Sequence, residues 1–393
     1  MRRTDIDHDK PLRLDVGSAP HVGGRDTFAR ITRTTLAAAG LAGVEDTALF
    51  GLWAAVLLVV CITAAVVAEW IFVRLSGRVT ATYDNAALVG LLAGLTLPVG
   101  RFDAGSFHPL LWVVPLCAGG VAVVVGKGLM GGMGNTLWHP ALVGRIAAEF
   151  LYADQMTPKT WVVLDRAHSF ARTLKPVESL EYVGWRLSHL PDGANAWALQ
   201  RPVEWLRRAA EGKLPDSGEN PLTVLVRDYL PPWGDTLVGG TGGGIGETCA
   251  IALIMGGLYL IYRGYVRWFQ PFSVLLAAAV AAAVLPIRLG ADAGFHWLPG
   301  LQTDDGLPVG LIYVLYHLTS GELMLGAFFL ATDIVASPRT ARGQVIFGAG
   351  VGVLTVMLRL YGPMPGSCYW AILIMNTLIG LIDRRTRRRV MGT

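Results

Sequence analysis

The feature that most constrains this chain is a succession of apolar runs separated by Gly, Pro and arginine. The clear runs are residues 48–73, 86–98, 110–125, 141–151, 245–262, 272–287, 309–330, 345–360 and 368–382. A weaker one, residues 34–43, is followed at once by Glu45 and Asp46. A helix needs roughly 20 apolar residues to cross a bilayer, and several of these runs approach that length. Others are shorter and cut by Gly or Pro, which is tolerated at membrane depth only where protein or a polar cavity satisfies the freed backbone groups. The composition agrees, at 53% hydrophobic and 16% charged, against about 25% charged in ordinary soluble domains. The chain reads as an all-α polytopic membrane protein.

Arginine placement gives the expected orientation. Arg30 and Arg33, Arg74 and Arg78, Arg263 and Arg267, and Arg384 to Arg389 lie beside apolar runs, where cytoplasmic loops carry their positive excess. The net charge of +4 is therefore attributed to topology rather than to nucleic-acid binding. A basic start and the basic "DRRTRRRV" end on the same side require an even number of crossings. Counting the weak first run gives about ten transmembrane helices. That count also places Lys127 and the Arg339/Arg342 turn inside, and a long polar stretch outside. The expected division is a cytoplasmic N-terminal segment 1–33, a first membrane repeat 34–151, an extracytoplasmic polar segment 152–238, a second membrane repeat 239–383 and a basic cytoplasmic tail 384–393. The first 30 residues have no apolar core or small-residue cleavage site, so no cleavable signal peptide is expected.

The halves resemble each other. "GLLAGLTLP" and "LLWVVPLCAGGVAVVVGKGLMGGMGNTLWHPALVGRIA" in the first match "LMLGAFFLATDIVASP" and "GQVIFGAGVGVLTVMLRLYGPMPGSCYWAILIMNTLIG" in the second. Each is an interrupted apolar segment, a Gly-rich helix, a Gly/Pro turn and a last helix. Five crossings per half make the repeats inverted, and inverted repeats with broken helices place binding sites at their interface. The four cysteines, Cys61, Cys117, Cys249 and Cys368, have no CxxC spacing. Buried inert thiols are expected rather than a disulfide framework or an iron–sulfur cluster within this chain.

Several blocks resemble one known family. They are "SAPHVGGRDTFARI", "DNAALVGLLAGLTLP", "VVVGKGLMGGMGNTLWHPALVGR", "GGIGETCAIALIMGGLYLI", "HLTSGELMLGAFFLATDIVASPRTARGQVIFGAGVGVLTVMLR" and "LIMNTLIGLIDRRTRRRV". In this order they resemble the D subunit of the Rnf complex and, more distantly, the B subunit of the sodium-pumping NADH:quinone reductase. The resemblance implies a ten-helix fold of inverted repeats inside a multi-subunit complex of membrane and peripheral partners in a bacterial or archaeal cytoplasmic membrane. It implies electron transfer between ferredoxin or NAD(H) and partner redox centres, coupled to sodium or proton translocation. It also implies flavin: an FMN joined through phosphate to a threonine of an external S-G-A-T motif, and a riboflavin held without a covalent bond in the quinone-reductase relative.

The sequence departs from that pattern at the threonine. Two external stretches correspond best to the motif, "DGANA" at 192–196 and "SGENPL" at 217–222, and both carry asparagine, Asn195 or Asn220. An amide cannot form the phosphoester. The flavin is then held noncovalently, or Thr223 or Thr241 substitutes, or the redox centre is lost; a noncovalent flavin is the expectation.

The candidate binding residues each have a plainer reading. In "KGLMGGMGN", Gly131 and Gly132 with Asn135 can admit a flavin or quinone ring to the backbone, or pack helices closely. In the related reductase this glycine pair lies near the quinone site. In "GGTGGGIGETCA", Gly244, Glu247 and Thr248 lead into a helix whose N-terminus can take a flavin phosphate, with Glu247 expected in its first turn, where it can equally complement the helix dipole. The stretch is not a Walker motif. Asp333, Glu322 and His317 lie on or beside one membrane run, and ionisable groups there are candidates for an ion path. Asp333 is also a candidate flavin contact, or simply a cap of the following turn. His139 stands where the family usually has asparagine and reads as a packing histidine. No metal-ligand spacing or hydrolytic triad is present. A non-redox transporter or channel, or a scaffold subunit without flavin, is the competing functional class.

Overall fold

The computed structural model describes residues 27–50, 52–77, 83–98, 110–132, 134–156, 202–212, 220–230, 233–239, 243–288, 295–304, 306, 308–362 and 366–386. The chain order is α1 (Phe28–Phe50), α2 (Leu52–Ser76), α3 (Tyr83–Leu95), α4 (Leu110–Val123, continued by a π-helical stretch Val124–Leu129), α5 (Pro140–Leu151) and the short α6 (Ala153–Met156). Then come α7 (Pro202–Ala210), α8 (Pro221–Val224, with a π-helical turn Leu225–Tyr229), α9 (Trp233–Val238), α10 (Ala250–Tyr262) and α11 (Phe269–Val284). A two-residue antiparallel pair, β1 (Ile287–Arg288) with β2 (Phe295–His296), is the small departure from an all-α fold. The chain closes with α12 (Val309–Thr319), α13 (Leu323–Leu325, continued by a π-helical stretch Gly326–Leu330), α14 (Ala341–Tyr361) and α15 (Ser367–Thr386).

Length and apolar composition qualify α2, Trp112–Leu129 and α14 as membrane spans among the described residues, and α12 with α13 as a fourth if the bent pair is one span. The helices α3, α10 and α11 are apolar but shorter. The weak run at 34–43 proves to be the middle of a continuous 23-residue helix, α1, with Asp46 inside it and fully buried.

The local chemistry sets the helix ends. Pro140 opens α5 at a position where its missing N–H costs nothing. Thr340 caps α14, its hydroxyl accepting from Gly343 N at 3.0 Å. Cys249 Sγ accepts from Ala252 N at the start of α10. In the first half α2 packs against α3 and α4, and α4 against α5; in the second α14 packs against α11 and α15. Small residues permit these approaches: a Cβ on Gly90 of α3 would lie 2.8 Å from Ala65 Cβ of α2. The halves meet where α1 packs on α10, and where Ile245 N donates to Leu97 O at 2.9 Å.

Two segments are interrupted. The α3 helix ends at Thr96–Pro98, with Thr96 Oγ1 donating back to Ala93 O. In the second half the bend of 61° falls between α12 and α13, at Ser320–Glu322. Thr332–Asp333 follows the π-helical stretch at the polar end of this segment, where Thr332 Oγ1 donates to Phe328 O and Gln270 Nε2 of α11 donates to Ala331 O.

Candidate functional site

At one end of the helix bundle, two adjoining clefts share Asn85, Leu88, Leu92, Asp333 and Val335. The larger, about 550 Å³ counting its open mouth, reaches from α1 to Tyr265 and Val266 after α10. The smaller, about 390 Å³ on the same basis, runs under Lys127, Thr136, His139 and Pro140. The enclosed space is much smaller, about 40 and 30 Å³, room for a few waters. Asp333 is half-buried in the shared wall, and its Oδ2 accepts from Ala336 N at 3.1 Å. It therefore caps the turn after the π-helical stretch, the simplest of its three expected roles, and also borders the clefts. Thr136 Oγ1 and His139 Nδ1 are buried without a hydrogen-bond partner among the described residues.

Asn376 of α15 ties this end together. With its amide oriented to satisfy both atoms, it donates to Ala336 O at 3.1 Å and Ile372 O at 3.2 Å, and accepts from His139 N at 3.0 Å. The turn after the second broken segment and the start of α5 are thus held by one side chain. Lys127 is not an aqueous loop marker: it is buried at the end of the α4 segment, 2.9 Å from the buried Glu69 of α2.

The glycine turn is adjacent in sequence. Gly131 and Gly132 have φ of 101° and 89°, a left-handed conformation that accounts for glycine there without a ligand. Asn135 is exposed and lies against Gly131. Among the described residues, neither cleft's lining includes Gly131, Gly132 or Asn135.

A second polar cluster sits at the junction of the halves. Glu247 lies in the turn before α10, not in its first turn, and Cys249 takes the capping position. The Glu247 carboxylate accepts from Gly244 N at 3.0 Å and from Tyr369 OH at 2.9 Å. Asp46 of α1 accepts from Gly246 N at 2.8 Å and Thr248 Oγ1 at 2.7 Å. Two carboxylates thus lie against the backbone amides and hydroxyl that the sequence offered to an anion. Arg145 is fully buried, 3.1 Å from Glu149, with its guanidinium over the Tyr369 ring.

The third cluster surrounds the bend. Glu322 Oε1 accepts from Ser367 Oγ at 2.8 Å and Cys368 N at 3.3 Å, and lies 3.4 Å from Arg359 Nη2. Arg359 also donates to the carbonyls of His317 and Ser320. The His317 ring packs edge-on against Tyr313, and both its nitrogens lack a hydrogen-bond partner among the described residues. Asp333 is thus separated from Glu322 and His317, which share one cluster.

Of the external candidates, Asn195 and Thr241 lie outside the described residues. Asn220 caps α8, its Oδ1 accepting from Leu222 N at 3.1 Å. Thr223 donates its hydroxyl to Asp304. Neither side chain presents a free hydroxyl for a phosphoester.

Sequence reasoning misses Asp46, Glu69, Arg145, Arg359, Tyr369 and Asn376. Glu69 and Arg359 carry a usable signal, since each is a single ionisable residue within an otherwise apolar run. Asn376 carries none, because its role depends on a contact across the fold.

Comparison with known proteins gives one consistent result. The profile of the NQR2, RnfD, RnfE family matches residues 15–392. The D subunit of the Na(+)-translocating ferredoxin:NAD(+) oxidoreductase complex of Acetobacterium woodii is 28% identical over 382 residues, covering 97% of this chain and 96% of that protein. The D subunit of the proton-translocating complex of Clostridium ljungdahlii is 30% identical over 383 residues, covering 96% of each. The D subunit of the ion-translocating oxidoreductase complex of Halorhodospira halophila is 31% identical over 385 residues, covering 94% and 95%.

Proposed function

Because the chain belongs to the NQR2, RnfD, RnfE family, we propose that it is the D-type membrane subunit of an ion-translocating ferredoxin:NAD(+) oxidoreductase complex. In this reading its partners are the other membrane and peripheral subunits. Its own part is to hold a flavin noncovalently and to carry part of the cation path. The observation that carries the reading is the paired cleft at Asp333. It joins elements of both halves, and two orphaned polar atoms, Thr136 Oγ1 and His139 Nδ1, lie buried along its smaller part.

The donor set of the smaller cleft suits the edge of a flavin ring, and the clefts, with about 40 and 30 Å³ enclosed, would have to open to admit one. The edge of the ring carries carbonyl and N–H groups, which would satisfy Thr136 and His139, while Leu88, Leu92 and Val89 offer an apolar face. Lys127 supplies a positive charge at the wall, and Asn376 fixes His139 from behind. A flavin bound there supplies one-electron transfer, with the protein positioning and tuning it. The residues at the external position do not fit a phosphoester: Asn220 is an amide engaged as a helix cap, and the Thr223 hydroxyl is directed to a carboxylate.

The same reading assigns ten crossings in two inverted sets: α1 to α5, then α10, α11, α12 with α13, α14 and α15. Arg74 at the end of α2, Arg263 and Arg267 between α10 and α11, Arg339 before α14 and Arg384 in α15 then all face the cytoplasm, as do both termini.

The test is purification of the assembled complex through a tag on this chain. Co-purification of other oxidoreductase subunits with acid-releasable flavin, and no fluorescent band at this chain's mass on a denaturing gel, is the expected result. A colourless chain purifying alone contradicts it.

A further inference from the structure

Lys127, Gly134 and Trp138 recur 232 residues later as Arg359, Gly366 and Trp370. Both glycines take a left-handed conformation, with φ of 100° and 73°. Both cations end an apolar helix, are buried, and pair with a buried carboxylate: Lys127 with Glu69 and Arg359 with Glu322. The carboxylates come from different places, Glu69 from within α2 and Glu322 from the bend before α13.

The two pairs lie at opposite ends of the bundle. Lys127 shares a cleft with Asp333 and Val335, a few residues before α14 begins at Ala341. Arg359 lies at the other end of the same helix, about 27 Å away at 1.5 Å per residue. Each pair also has an unsatisfied buried histidine beside it. His139 Nδ1 is orphaned in the cleft that Lys127 lines, and His317, whose carbonyl holds Arg359, has both ring nitrogens orphaned among the described residues. Buried charge in a membrane protein marks ion pathways and proton relays, and an orphaned buried imidazole marks a place where a further polar species belongs.

We infer that Glu69 and Glu322 are the terminal stations of one path for a monovalent cation, each closed at rest by its basic partner. The arriving cation exchanges with the ammonium or guanidinium at the carboxylate, both basic groups keeping their protons, and the orphaned nitrogen of the adjacent histidine offers a hydrogen-bond partner to a water that accompanies the cation. The inference rests on the ion-translocating reading above and assigns it two sites. Sodium and a hydrated proton share the required chemistry.

The test uses the whole complex, purified with variants of this chain and reconstituted in vesicles. NAD(+) reduction by ferredoxin is followed together with uptake of radiolabelled sodium and with a pH dye, which separates the two cations. In Glu69→Gln and in Glu322→Gln, cations moved per electron fall roughly ten-fold or more, as expected for loss of a charged station. A ratio within about two-fold of the unmodified complex in both variants overturns the inference and leaves the pairs structural. An unmodified complex that turns over without moving either cation overturns the functional reading itself. If the glutamine variants fail to assemble, Glu69→Asp keeps the charge and withdraws it by one methylene. The cation concentration at half-maximal rate then rises several-fold, and an unchanged value overturns the assignment.

Discussion

Replacing Lys127 by methionine removes one half of a buried ion pair and leaves Glu69 among apolar side chains. At the observed N–O separation of 2.9 Å, the attraction is about 6 kcal/mol in a medium of effective dielectric near 20. Most of that offsets the desolvation of the two charges, so the pair itself contributes little net stability. Breaking it is different, because the stranded carboxylate keeps its desolvation cost; such losses run about 3–5 kcal/mol. Removing both charges together, as Lys127→Met with Glu69→Met, is expected to be neutral or mildly stabilising. The assay is thermal unfolding in detergent at a fixed scan rate with a thiol-reactive fluorophore, since Cys61, Cys249 and Cys368 are buried and free in the native fold. At about 2–4 °C per kcal/mol, the single variant should melt roughly 6–20 °C lower and the double variant near the parent. A single variant within about 2 °C of the parent, or a double variant no better than the single, refutes the buried pair.

Asp46→Ala strands the Gly246 N–H and the Thr248 hydroxyl, at about 1–3 kcal/mol each. The same melting assay should place Asp46→Asn between it and the parent. Gly126→Ala sets a Cβ 2.8 Å from Pro140 Cα and should cost about 1–3 kcal/mol. Gly120→Ala, with nothing within 4 Å, should instead stabilise α4 by about 0.5–1 kcal/mol. Asn220→Ala removes the α8 cap and should cost about 1 kcal/mol, whereas Asn220→Thr, which keeps a capping oxygen, should cost much less.

The membrane character and most helix positions are legible in the sequence because apolar composition alone determines them. The bend itself is not, because the Ser-Gly-Glu at 320–322 marks a polar break in the run but not its angle, which depends on Arg359 drawing the His317 and Ser320 carbonyls and Glu322 together. Asp333 is legible as a candidate because a carboxylate at the end of an apolar run stands out, whereas His139 in the same cleft reads from sequence only as packing. The place of Glu247 is missed by a few residues: Gly-rich sequence predicts a tight turn but not where the following helix starts, which the Cys249 cap decides. The Glu69–Lys127 pair joins residues 58 positions apart, and nothing along the chain specifies which carboxylate a buried lysine meets. The same holds for Asp46, whose two acceptor contacts cross from the first half to the second.

The most direct measurement for the account is redox-driven cation uptake in membrane vesicles from the host, with and without an intact gene for this chain. With the chain present, ferredoxin-linked NAD(+) reduction should drive sodium or proton accumulation that an ionophore abolishes. Without it, both the reduction and the accumulation should be lost and return on complementation. Undiminished, cation-coupled NAD(+) reduction in vesicles lacking the chain would contradict the account.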